Sequence, residues 1–316
     1  MRIALPPRID PAAFVALDPA ATVETIAGAT MGTTWRVLLV RPRGLRVDIA
    51  AAIADRLAAI VAEMSHWAPD SRLSRFNRAA AGRWIALPPD FARVVAAAFA
   101  VAQASGGAFD PAIGRLVDLH GYGPPGPQPP PGEEARAAAL GVSGWRRLGW
   151  DPGARRLYQP GGCALDLSGI AKGFAVDAVA DLLARHGVAH ALVEVGGELS
   201  GRGVQPSGEP WWVDLETPPG AAAVPLRVAL HGLSVATSGD YVRGAHTIDP
   251  RTGLPAAGLV AVSVIHDSAM MADAWASALM VLGEDAAAVA ARHGLAVRLV
   301  SGEGEHLSPA LAAMLG

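Results

Sequence analysis

From Ala269 to Leu282 the chain is apolar on all sides apart from two interruptions, Asp273 and Ser277. A helical run with no polar face belongs inside a protein, so whatever fold this chain adopts has to cover that helix. On a helix the two polar residues stand four apart and share one face. Burying a carboxylate there costs several kcal/mol unless it is paired or coordinates a metal. A capping role or an Arg partner would satisfy it. So would a hard divalent cation, because carboxylate and hydroxyl oxygens suit magnesium before zinc.

The remaining periodicities supply the cover. Ile49, Ile53, Leu57, Ile60 and Met64 mark an amphipathic helix over 48–64, with Asp48 as its start signal. Further helices are expected at 89–104, stopped by Gly106-Gly107, at 170–185 and at 285–293. Strands are expected at 33–40, 189–195, 211–217, 225–230 and 259–265. The hairpin-like pair near 211–230 favours an α+β fold of mixed sheets with packed helices over a strictly alternating one. Residues 124–132 (PPGPQPPPG) hold six prolines, which lack an amide donor and fix φ, so this is a surface loop. With 51% hydrophobic and 17% charged residues, a sizeable core is expected. The expected organisation is an irregular N-terminal arm over 1–22 and a single compact unit over 23–316.

Several classes are disfavoured. The formal charge is −3 and the Arg residues are scattered, which argues against a nucleic-acid partner. Cys163 is the lone cysteine, so neither an internal disulfide nor a Cys-based zinc site is expected; its plain reading is a small residue entering a strand. Pro6, Pro7, Asp10 and Pro11 interrupt the region where a signal peptide needs an apolar run, and no apolar run reaches the length of a membrane helix. The expectation is a cytoplasmic protein with no membrane span.

Chemistry-bearing residues collect in six segments. Gly28 to Thr34 is a Gly-containing turn leading into a strand. Met64 to Asn77 carries Trp67 on a turn, where it either offers a flat face to a planar ring or staples a helix end to the core. In Gly106 to Pro111, small residues allow close approach of a ligand, and Asp110 is placed to cap a helix starting at Pro111. Leu165 to Asp177 breaks at Ser168-Gly169 and enters a helix whose free amides suit phosphate, with Lys172 in the first turn. The spacing there is not that of a P-loop, and no GxGxxG pattern occurs. Thr237 to Tyr241 is followed by His246, Ile248 and Asp249. A His and an Asp three apart beside a turn suit proton transfer, cation binding or a plain surface hydrogen bond. The sixth segment is Ala272 to Leu279, with Asp273 and Ser277.

Together, and in this order, the six segments resemble the ApbE family of FAD:protein FMN transferases, from Gly28 to Gly283. The resemblance implies an ApbE-like, T-fold-related α+β fold. It implies FAD contacts from Met31, Trp67, Ala108, Phe109, Asp110, Asp166 and Lys172, with Ile248 near the flavin. It also implies Mg²⁺ held by Asp273, Ser277 and the Gly169 carbonyl, with Asp273 and His246 as the catalytic residues. The family usually has Tyr where this chain has Trp67, which keeps the flat face, and Thr where it has Ser277, which keeps the hydroxyl. Only Val242 to Ala245 separates Tyr241 from His246, where family members usually carry a longer hairpin. The implied reaction cleaves FAD, attaches FMN to a Thr or Ser of an acceptor protein and releases AMP. The alternatives are an FAD-storage protein and an FAD pyrophosphatase yielding free FMN and AMP.

Overall fold

The protein is described by a computed structural model covering residues 1–15, 17–241, 244 and 246–315. Of the shortened loop between Tyr241 and His246, only Gly244 is included, and the rest of it lies outside the described residues. The elements in the first half are β1 (Arg2–Ala4), α1 (Ala12–Val15), β2 (Val23–Thr30), β3 (Thr33–Val40), α2 (Ile49–Met64), α3 (Arg72–Asn77), β4 (Arg83–Ala86), α4 (Pro89–Ala104), α5 (Gly114–Leu119), α6 (Glu133–Val142), β5 (Gly149–Asp151) and β6 (Arg156–Gln159). The second half continues with α7 (Ala171–Arg185), β7 (Ala191–Val195), β8 (Glu198–Arg202), β9 (Trp211–Leu215), β10 (Leu226–Leu230), β11 (Leu233–Gly239), β12 (Leu259–His266), α8 (Ala269–Leu282), α9 (Ala286–Arg292), β13 (Ala296–Ser301), β14 (Gly304–Leu307) and α10 (Pro309–Ala312).

An eight-stranded antiparallel sheet, ordered β14-β13-β12-β11-β8-β7-β3-β2, forms the middle layer. Alternation along its strands sends residues to two different cores. Val37 and Leu39 face the helices, where they join Ile53, Leu57, Phe91, Phe174 and Leu279. Leu38 and Leu192 face the opposite way, onto the three-stranded sheet β1-β10-β9, where Trp211, Val228 and Leu311 pack. A third sheet, β4-β6-β5, contributes Leu157 to the helical core, with Ile85 and Trp150 packed against it. The architecture is α+β with mixed helices and sheets in one compact unit.

The periodic helices form where their spacing places them. Ile49, Ile53, Leu57, Ile60 and Met64 are the buried face of α2, and the Asp48 side chain accepts the Ala51 amide to start it. The all-round apolar helix α8 is sunk between the sheet and the other helices. With α9 it makes a run, Ala269–Arg292, whose mean hydropathy of 1.3 and length would by composition let it cross a membrane. That differs from the sequence expectation. Within the described residues, however, this run is mostly buried inside the protein, as a core helix is.

The N-terminal residues are not wholly irregular. Arg2–Ala4 pairs in parallel with β10, and Ala4 is fully buried in the second core. Alternation over three residues is too short to read as a strand; what fixes it is the edge offered by β10. Cys163 is buried as expected, but it lies in an irregular stretch and not in a strand.

Candidate active site

The β7–β8 turn, the starts of α5 and α7, the ends of β9 and β11 and one face of α8 meet around one cleft of about 560 Å³. Eleven of the twelve site residues singled out from the sequence line it: Trp67, Ala108, Phe109, Asp110, Asp166, Gly169, Lys172, His246, Ile248, Asp273 and Ser277. Met31 does not. It occupies the β2–β3 turn with φ of 50°, ahead of Gly32 at 71°, and packs against the main core. Two successive positive-φ residues are what a two-residue hairpin needs, and a non-glycine there is uncommon.

Trp67 is 59% exposed, so it staples nothing; its ring stands free at the cleft rim, tilted against His66. Ser71 caps α3 behind it through the Ser74 amide and donates its hydroxyl to the Ser65 carbonyl, which fixes the turn. Asp110 does not cap a helix at Pro111, since α5 begins only at Gly114. Its carboxylate instead accepts the Ala112 amide at 2.8 Å and the Trp145 amide at 3.0 Å, tying two loops together. Burial pushes the Asp110 carboxyl up to about 6, against the pull of those two amides.

Asp166 follows a stretch clamped by Asn77, whose amide group both donates to and accepts from the Leu165 backbone. The Asp166 carboxylate accepts the Ser168 amide at 2.7 Å, which turns the chain into α7. Lys172, in the first turn of α7, pairs with Glu198 at the start of β8. Gly196 and Gly197, at φ of 61° and 100°, swing the chain so that Glu198 enters the cleft wall. Burial pushes the Glu198 carboxyl up; Lys172 opposes this and the Asp273 charge adds to it.

Asp273 is 3% exposed, and its Oδ2 accepts the Gly173 amide at 2.9 Å. Burial pushes its carboxyl up and the Lys172 ammonium pulls it back. Neither a cap of its own helix nor an Arg partner accounts for it, because the α8 N-cap is Ser268 and the nearest cation is lysine. Asp177 holds α8 in place from the neighbouring helix: it accepts the Ser268 hydroxyl and the Ala269 and Met270 amides at 2.7–3.0 Å. Gly169 lies so close to Ser277 that a Cβ there would meet the Ser277 Oγ at 2.6 Å.

Among the described residues no group of three or more His, Cys, Asp or Glu gathers as a metal cluster. Of the oxygen donors on the cleft wall, the buried Asp273 carboxylate, the Ser277 hydroxyl and the backbone of Gly169 are the set the sequence pointed to. These are oxygen donors, which fit a hard cation such as Mg²⁺ and suit a soft one poorly.

The carboxylate beside His246 is not Asp249, which is engaged by Arg251 at 2.8 Å. It is Asp240, 3.6 Å from His246 Nδ1. Nδ1 also lies 2.9 Å from the Gly244 carbonyl, which can only accept. Nδ1 therefore carries the proton and, in the neutral ring, Nε2 is left as the basic nitrogen. The sequence reading also missed Glu198 and the strand-end residues Val213 to Glu216, which line the same cleft.

A free aromatic face at the rim, one lysine and a buried aspartate give this cleft the make-up of an enzyme site, but the start of α7, expected to offer free amides to phosphate, has its Ile170, Ala171 and Gly173 amides engaged within the chain. The sequence matches the ApbE family over residues 31–299, and the chain belongs to that family. It is 36% identical over 310 residues to the FAD:protein FMN transferase of Klebsiella pneumoniae, covering 91% of this chain and 87% of that one. It is 35% identical to the protein of the same name from Haemophilus influenzae, covering 88% and 86%. Among solved structures, the fold matches the apo flavinyl transferase ApbE of Pseudomonas stutzeri with a TM-score of 0.87 at 35% identity, over 94% of this chain and 98% of that one.

Proposed function

We propose that this chain is a magnesium-dependent FAD:protein FMN transferase. The observation that carries the reading is the convergence of the five later sequence segments on one cleft, with the buried Asp273 at its floor. In the reaction, a Ser or Thr hydroxyl oxygen of the acceptor protein forms a bond to the FMN-side phosphorus of FAD. The anhydride P–O bond breaks, and AMP leaves with its electron pair. The hydroxyl proton passes to His246 Nε2, while Asp240 and the Gly244 carbonyl hold the ring by its other nitrogen. Trp67 stacks on the flavin, and Lys172 holds its polar atoms. Asp273, the Ser277 hydroxyl and the Gly169 carbonyl would hold Mg²⁺, whose chemistry is to neutralise charge on the phosphate oxygens.

Incubating the chain with FAD, Mg²⁺ and a Ser/Thr-bearing acceptor tests the reading. Covalently flavinylated acceptor supports the transferase. Free FMN with AMP makes it a hydrolase, and unaltered bound FAD makes it a storage protein. Asp273→Ala should lower transfer by about 10³-fold or more with the fold intact. Full activity of that variant in metal-free buffer would sink the metal assignment, and unchanged turnover in His246→Ala would remove the base.

A further inference from the structure

A second buried carboxyl, that of Glu198, shares the cleft wall with Asp273, and the reaction as described makes no use of it. Glu198 is 2% exposed, and its Oε1 engages the Lys172 ammonium. Its other oxygen, Oε2, is buried with no hydrogen-bond partner among the described residues. Leaving a carboxylate oxygen unpartnered in an interior is costly, so a residue kept there has work that an apolar side chain cannot do. The backbone is shaped around the same pair. At Gly196, two residues before Glu198, any Cβ would stand 2.8 Å from Thr33 Cγ2 and 3.3 Å from the Cδ of Lys172. The lysine stem thus lies against a bare glycine, and its ammonium reaches Glu198.

Lys172 stands within the field of two acids, since its charge acts on both Glu198 and Asp273. A flexible ammonium beside a single buried carboxylate would settle onto it and neutralise it. We propose that Glu198 is a positioning residue that draws the Lys172 ammonium away from Asp273, keeping the lysine on the FAD side of the cleft and Asp273 free to accept a cation. This rests on the flavin-site reading above and names a residue that reading does not use. The role assigned to Glu198 is exerted through Lys172 and not on the reacting phosphorus.

The test is a double-mutant cycle on the full chain with Glu198→Gln, which keeps the shape and removes the charge, and Lys172→Met. Two quantities are read: FAD affinity in EDTA from flavin fluorescence, and Mn²⁺ affinity by electron paramagnetic resonance without FAD. Glu198→Gln should weaken both by about tenfold, the loss expected for one charge-assisted interaction. In the Lys172→Met background the same change should no longer weaken Mn²⁺ binding, because no ammonium is left to occupy Asp273. A purely structural role would not be erased by Lys172→Met. Unchanged affinities in Glu198→Gln, or an equal loss with and without Lys172, would overturn the proposal. If Glu198→Gln melts well below the unaltered chain, Glu198→Asp replaces it; recovery of Mn²⁺ affinity supports the positioning role, and failure to recover refutes it. Failure of the unaltered chain to bind FAD would instead overturn the flavin-site reading, and this inference with it.

Discussion

Gly173→Ala is the substitution whose effect the geometry fixes most tightly. Gly173 sits in the first turns of α7, where that helix crosses α8. A Cβ there would stand 2.2 Å from the Ala269 carbonyl oxygen, 2.6 Å from its carbon and 2.8 Å from Asp273 Cβ. Two of these three atoms are backbone, so no rotamer change relieves the clash, and α8 has to retreat by about 1 Å. Alanine gains about 0.5–1 kcal/mol over glycine inside a helix. Overpacking costs about 1–3 kcal/mol, and the retreat stretches the Gly173–Asp273 hydrogen bond of 2.9 Å, itself costing about 1–3 kcal/mol when buried groups are left unmade. The balance is a destabilisation of about 1–5 kcal/mol, measured by urea denaturation. Gly141 provides the control: it lies in α6 with nothing within 4 Å of its virtual Cβ, so Gly141→Ala should be neutral or gain up to about 1 kcal/mol. If Gly173→Ala proves as stable as Gly141→Ala, the close helix crossing is not what the glycine is for.

Asp177→Ala leaves the Ser268 hydroxyl and two buried amides at the α8 start without their acceptor, and should lower the unfolding free energy by about 3 kcal/mol in urea titrations. Asp110 makes the protein more stable in mild acid. Its carboxyl is raised by burial from 3.8 to about 6, so the native state binds the proton more tightly, and stability falls as pH rises between those values. That contribution is about 2–3 kcal/mol, and Asp110→Asn should flatten the corresponding slope in urea melts run across that range; an unchanged slope would refute the assignment. Trp67→Ala should weaken FAD binding by about tenfold or more without moving the melting temperature, because the ring is 59% exposed, and Trp67→Tyr should restore it.

How far the sequence foretells this site depends on how local each signal is. Asp273 was legible because an apolar helix leaves a carboxylate nowhere to hide, and α2 because its spacing and its Asp48 cap lie within a few residues of each other. The pairings that tune the site are long-range and leave no spacing to read. Asp177 looks like one more polar residue on α7, yet its acceptors' partners lie more than ninety positions away on α8. His246 has a carboxylate three residues downstream, but Arg251 claims it through a tight local turn, and the one that faces the imidazole lies upstream at Asp240. Glu198 was preceded by a visible signal, two glycines before a strand, but a glycine pair marks a turn without saying which side chain it aims. The residues that make bonds with substrate must keep a fixed chemistry and so sit in recognisable strings. Those that apportion charge among them need only arrive at the right point in space, which any element of the fold can arrange. Lys172 illustrates the difference: its place at the start of α7 was readable, but the carboxylate that engages its ammonium is brought in on β8, twenty-six positions on.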